Sequence, residues 1–137
     1  DIFARLSADP NSTPDAYQTT ITRLFNKLQQ DLPDTTVFVM GMTTTLRKYA
    51  HMRFGDFLPQ QKVVQAVFND YNNILKKLAR DFKFLYIDLP AQWPGDVETS
   101  WRFYADGIHP NNGGYDLMTN TLYNALRSTV IHPNKEY

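Results

Sequence analysis

Tyr17, Ile21, Leu24, Phe25 and Leu28 recur at spacings of three and four. That spacing puts one apolar stripe on a helix over residues 14–31. Thr13 suits its N-cap, Pro14 its first turn and Asp15 its positive end, and Leu32-Pro33-Asp34 stops it. The pattern then changes period. Thr36-Val37-Phe38-Val39-Met40-Gly41 is short, β-branched and nearly all apolar, which fits a strand covered on both faces, as in a parallel sheet. Residues 43–60 are irregular and read as a long connection or a short helix plus loop. Val64, Val67, Phe68, Tyr71, Leu75, Leu78, Ala79 and Phe82 restore the helical period, with Lys76, Lys77 and Arg80 toward the negative end. Phe84-Leu85-Tyr86-Ile87-Asp88-Leu89 reads as a second buried strand and Pro90 to Ser100 as a loop. Tyr115, Leu117, Met118, Leu122, Ala125 and Leu126 mark a third helix, and the tail from Ile131 reads as loose.

The predicted order is helix, strand, helix, strand, helix. Strands joined through long helices imply an α/β fold with a parallel sheet and right-handed crossovers. In such sheets sites collect at the carboxyl ends of the strands. Two strands alone leave apolar faces and an open edge, so strand 36–41 calls for neighbours.

Length and composition narrow the class. The chain has 137 residues, enough for one domain, and is 42% hydrophobic and 20% charged, as expected of a globular protein. Fourteen Lys plus Arg balance fourteen Asp plus Glu, so there is no electrostatic footprint for nucleic acid or an anionic membrane. The absence of cysteine excludes disulfides, thiolate metal sites and a cysteine nucleophile. No apolar run approaches the ~18 residues of a transmembrane segment. The chain opens on Asp1-Ile2-Phe3 without an initiator Met, which reads as an internal start. Asn11-Ser12-Thr13 matches a short glycosylation motif.

Chemistry concentrates in Asp106-Gly107-Ile108-His109-Pro110-Asn111, just after the second strand and its loop. An Asp can accept the Nδ1 proton of a nearby His and leave Nε2 free as a base. Asp-Gly is also common in surface turns for backbone reasons alone. His51 reads as a surface or packing residue and His132, in the tail beside Pro133, as solvated; scattered from this block, they do not form a metal site with it. Ser7, Ser12, Ser100 and Ser128 are the serines, none in a Gly-rich strand-to-helix turn; Ser100 is nearest and a poor nucleophile candidate. Trp93, Trp101, Phe103 and Tyr104 either line an acyl or sugar pocket or pack beneath the loop. Met40 and Met42 at a strand end read as core or pocket wall.

Asp106-Gly107-Ile108-His109-Pro110-Asn111, followed by Gly113-Gly114-Tyr115 opening a helix, resembles the last conserved block of the SGNH (GDSL) hydrolases. The resemblance spans nearly the whole chain, with only this block at motif grade. It implies that residues 1–137 are the C-terminal part of a single hydrolase domain, half of a flavodoxin-like three-layer α/β/α fold. Val37–Gly41 and Phe84–Asp88 look like the family's fourth and fifth strands. His109 would be the general base and Asp106 its orienter in a serine ester hydrolase of esterase or lipase type, with no cofactor and no metal. The Gly-Asp-Ser block would lie on an N-terminal segment of the same protein. Asp1 would close the family's third block, with the oxyanion-hole Asn just before it. Family members are often secreted or periplasmic, which leans this chain the same way. A carbohydrate O-acetylesterase of the same fold, and a non-catalytic binding module, remain the alternatives.

Overall fold

The computed structural model describes residues 13–43, 57–95, 97–107 and 109–131. The first helix, α1, runs Thr13–Asp31; strand β1 is Phe38–Met40; helix α2 is Phe57–Asp81; strand β2 is Leu85–Ile87. Two short helices follow, α3 (Leu89–Gln92) and α4 (Val97–Trp101), and then the long helix α5 (Asn112–Ile131). The strands pair in parallel, with Phe38 opposite Leu85, Val39 opposite Tyr86 and Met40 opposite Ile87. This is an α/β fold with a parallel sheet.

The two strands are tied to different helix layers by their period of two. Val39 is buried with Phe25 of α1 and Leu75, Leu78 and Ala79 of α2, and Val37, Phe84 and Tyr86 pack against that cluster. Met40 points the other way, against a cluster of Leu89, Trp93 and Tyr104 that also takes in Leu117 and Met118 of α5. Phe38, Leu85 and Ile87 face α5 across a cleft of about 420 Å³. Among the described residues β1 has a strand neighbour on one side only.

How α2 ends explains why β2 can return alongside β1. Phe84 N–H bonds the Ala79 carbonyl at 2.8 Å and Lys83 N–H bonds the Arg80 carbonyl at 3.1 Å, the two bonds of a helix-terminating Schellman turn. Lys83 holds the left-handed conformation, φ 59°, that this turn requires. Phe82 and Phe84 then both pack against Phe25, at ring distances of 5.6 and 5.0 Å, and fix the reversal.

Several expectations change. The strand does not continue through Leu89, and the stretch from Pro90 to Ser100 is not a plain loop. Asp88 caps α3 by accepting the Ala91 N–H at 3.2 Å, with Pro90 in the first turn, so the chain enters a helix directly after Ile87. The second long helix begins at Phe57, inside the segment expected to be irregular. Leu24 is half exposed and does not join the α1 stripe in the core. Tyr115, Leu122 and Leu126 of α5 are likewise exposed; they lie off the face of α5 that lines the cleft, and no described element covers them.

Candidate active site

The site is a turn carried on a packed corner. The Trp93 N–H closes α3 onto the Leu89 carbonyl at 3.1 Å. Its indole packs against Phe103 and Tyr104, with ring centroids 5.6 and 5.2 Å away. After α4, three successive turn bonds (Arg102 to Thr99, Phe103 to Ser100, Tyr104 to Trp101) reverse the chain. Tyr104 then forms an antiparallel bridge with Pro110, and the Ala105 N–H bonds the His109 carbonyl at 2.8 Å. The stem is completed by the Asn111 N–H on the Phe103 carbonyl at 3.0 Å. A short loop bearing Asp106 and His109 is thus clamped at its base.

Within that loop Asp106 holds His109 twice. Oδ1 accepts the His109 backbone N–H at 2.7 Å and Oδ2 lies 2.6 Å from Nδ1 of the ring. Gly107 takes φ 84°, a left-handed value that glycine adopts without a Cβ penalty and that lets the carboxylate fold back onto residue 109. A carboxylate only accepts, so the assigned tautomer carries its proton on Nδ1 and leaves the Nε2 lone pair free. The His109 side chain is 73% exposed and the Asp106 side chain 51%. An ion pair this exposed contributes little to stability. Its geometric effect is orientation of an accessible imidazole.

Asn111 staples the loop to α5. Its Oδ1 accepts the Gly114 N–H at 3.1 Å, capping the helix, while Nδ2 donates to the Arg102 carbonyl at 2.7 Å and the Tyr104 carbonyl at 3.2 Å. Gly114 has no room for a side chain. A Cβ there would collide with the Phe103 carbonyl oxygen and approach Pro110 to 2.9 Å and Trp93 to 3.1 Å. The Asn and the second Gly therefore have packing reasons to follow the Asp and His.

The other candidate residues fall elsewhere. Ser100 is buried and its hydroxyl donates to the Pro94 carbonyl, so it is a structural residue of the α4 turn rather than a nucleophile. Trp93 and Tyr104 are buried core, and burial pushes the Tyr104 phenol up while the neighbouring Thr43 side chain acts the other way. Trp101 and Phe103 are half-buried and pack on that cluster, which favours packing over a pocket lining for the aromatic group. Met40 packs on the same cluster and Met42 on the α1–α2 side. Asp1, Ser7, Ser12, His51 and His132, with the glycosylation motif's Asn11, lie outside the described residues. Among the described residues no group of three acidic or histidine side chains is placed to hold a metal, and no helix is long and apolar enough to cross a membrane. One polar contact near the site was missed. Asn72 of α2 bonds both backbone groups of Met42, and its signal was an Asn set inside the Phe68–Tyr71–Leu75 stripe.

Residues 7–117 match the GDSL-like Lipase/Acylhydrolase family, a span that includes Asp106 and His109. The chain belongs to this family. It is similar in fold to the crystal structure of a protein from Parabacteroides merdae ATCC 43184 described as a GDSL-like lipase, with a TM-score of 0.60 and 20% sequence identity. The match covers 82% of this chain and 49% of that one, so the chain spans about half the length of that structure. No curated protein matches the chain.

Proposed function

We propose that this chain supplies the base and its orienter to a serine ester hydrolase whose nucleophile lies on an upstream segment of the same protein. The observation that carries the reading is the double hold of Asp106 on His109, which fixes an accessible imidazole with Nε2 free. His109 Nε2 takes the serine hydroxyl proton as the oxygen attacks the ester carbonyl carbon. The tetrahedral intermediate collapses with cleavage of the acyl C–O bond, and the same nitrogen returns the proton to the departing alcohol. Water then repeats the sequence on the acyl-enzyme. Asp106 stabilises the imidazolium in both halves. The oxyanion donors belong to the upstream segment, the Asn before Asp1 among them.

Two features support a completing segment: β1 lacks a second strand neighbour among the described residues, and the cleft between β2 and α5 leaves Phe38 and Leu85 only partly covered. The substrate class is a carboxylic ester. The aromatic residues that suggested a sugar pocket pack on the Leu89–Trp93–Tyr104 cluster and give no preference for acetylated carbohydrate.

The test is to express the chain with the coding segment that precedes it and to react it with a fluorophosphonate probe and a short-chain aryl ester. The joined protein is expected to hydrolyse the ester and to be labelled on its upstream serine, while residues 1–137 alone are not labelled. Labelling of the 137-residue chain alone would contradict the division of the site. A joined protein that neither labels nor hydrolyses would leave the non-catalytic module as the reading.

A further inference from the structure

The last ladder bond of β1 is the Gly41 N–H on the Ile87 carbonyl, at 2.9 Å. Beyond it the strand has left β2, and Met42 has no ladder partner among the described residues. Asn72, from the middle of α2, takes that place. Its Oδ1 accepts the Met42 N–H at 2.7 Å and its Nδ2 donates to the Met42 carbonyl at 2.8 Å. A carboxamide carries the same donor and acceptor as a peptide group, so Met42 is held as though a further strand residue faced it. Asn72 is buried, and so is a costly choice in a helix stripe of Val67, Phe68, Tyr71 and Leu75 unless both its groups are satisfied.

What the clamp holds in place is the next residue. The Thr43 side chain lies beside the Tyr104 phenol, and Met40, at the end of the same strand, packs on the Leu89–Trp93–Tyr104 cluster. Tyr104 is the residue from which the Asp106–His109 loop springs: it bridges Pro110, and its carbonyl accepts from Asn111. A continuous set of contacts therefore runs from α2 through the end of β1 to the stem of the loop.

We propose that Asn72 is a positioning residue for the Asp106–His109 pair, acting through Met42, Thr43 and Tyr104. The proposal rests on the reading of that pair as catalytic. Asn72 touches neither the pair nor the substrate. Its effect is to hold the carboxyl end of β1 rigidly against the stem, so that the imidazole is presented at one height and angle. Misplacement of a catalytic group by about 1 Å can cost on the order of 100-fold in rate.

The experiment compares Asn72→Ala, Thr43→Val and the double variant in the joined protein. Thr43→Val breaks only the far link and leaves the helix clamp intact, so it serves if Asn72→Ala folds poorly. We expect each single variant to lower kcat per folded molecule roughly tenfold or more at nearly unchanged KM, with the double variant no worse than the weaker single, because both cut one chain of contacts. The 15N shifts of the His109 ring, which report the share of the Nδ1–H tautomer, are expected to move toward a mixture in both singles. A merely structural role would lower the melting temperature and move neither kcat per folded molecule nor the ring shifts; that result would overturn the proposal. Should the joined protein hydrolyse no ester, the functional reading falls, and the ring shifts alone still decide the link: moved in both singles they support it, unmoved they overturn it.

Discussion

The two faces of the sheet are built to different standards. On the α1–α2 face, Phe25, Val39, Leu75, Leu78 and Ala79 close a dense cluster with a ring of aromatic contacts around it. On the α5 face the chain leaves a cleft of about 420 Å³ along Phe38, Leu85 and Ile87. Among the described residues one corner of that face is tightly packed: the Leu89–Trp93–Tyr104 cluster beneath the Asp106–His109 loop. The contrast separates two tasks. The first face supplies apolar burial, the dominant favourable term in folding. The closed corner of the second supplies rigidity where an exposed histidine must be held in one orientation.

If that division is right, variants on the two sides should fail in different ways. Short of removing the base itself, the largest effect is expected from Asp106→Asn in the joined protein. With Oδ1 still on the His109 backbone N–H, the amide would turn an N–H donor toward Nδ1 and favour the wrong tautomer, and the rate of ester hydrolysis should fall about ten-thousandfold while thermal stability stays near that of the parent. Leu75→Ala, on the packed face, should do the reverse. Urea denaturation should show a loss of about 2–5 kcal/mol, with kcat per folded molecule little changed; Leu122→Ser on α5, at 36% exposure, should stay within about 0.5 kcal/mol. Gly114→Ala touches the corner that joins the two tasks. The new methyl collides with the Phe103 carbonyl, and overpacking of this kind costs about 1–3 kcal/mol, so stability and activity should drop together. A pH dependence is also expected on the packed side. Burial and then Asp88 push the Tyr86 phenol up to about 12, from its ordinary value near 10. A raised acid stabilises the fold fully below its unfolded pKa, and that stability is lost as pH rises through the folded one. Melting temperature should therefore fall between about pH 10 and 12, and Tyr86→Phe should lessen the fall.

The helices and strands were legible because their signals are local. The stripes of α1 and α2 and the run Val37–Met40 each declare their period within a few residues, and Asp106 and His109 are near enough in sequence for their pairing to be read directly. The ends of elements were harder. The apolar run through Leu89 concealed the cap that Asp88 makes for α3, although Asp88 and Pro90 together carried the signal. Exposure was legible only where a layer exists to cover a stripe. The α5 pattern is amphipathic, yet Tyr115, Leu122 and Leu126 remain exposed because no described element lies over them. The role of Trp93 and Tyr104 could not be decided from residue type, since aromatic side chains suit a pocket and a core equally. The Asn72–Met42 clamp joins residues 30 apart, and no spacing rule connects them.

The central claim is that His109 is the base of the reaction. The most direct measurement is kcat for hydrolysis of a short-chain aryl ester by the joined protein carrying His109→Ala, alongside its melting temperature. The account predicts a fall of about 10⁵-fold or more with the melting temperature unchanged, since the side chain is 73% exposed and its removal empties no core. Activity within tenfold of the parent would contradict it.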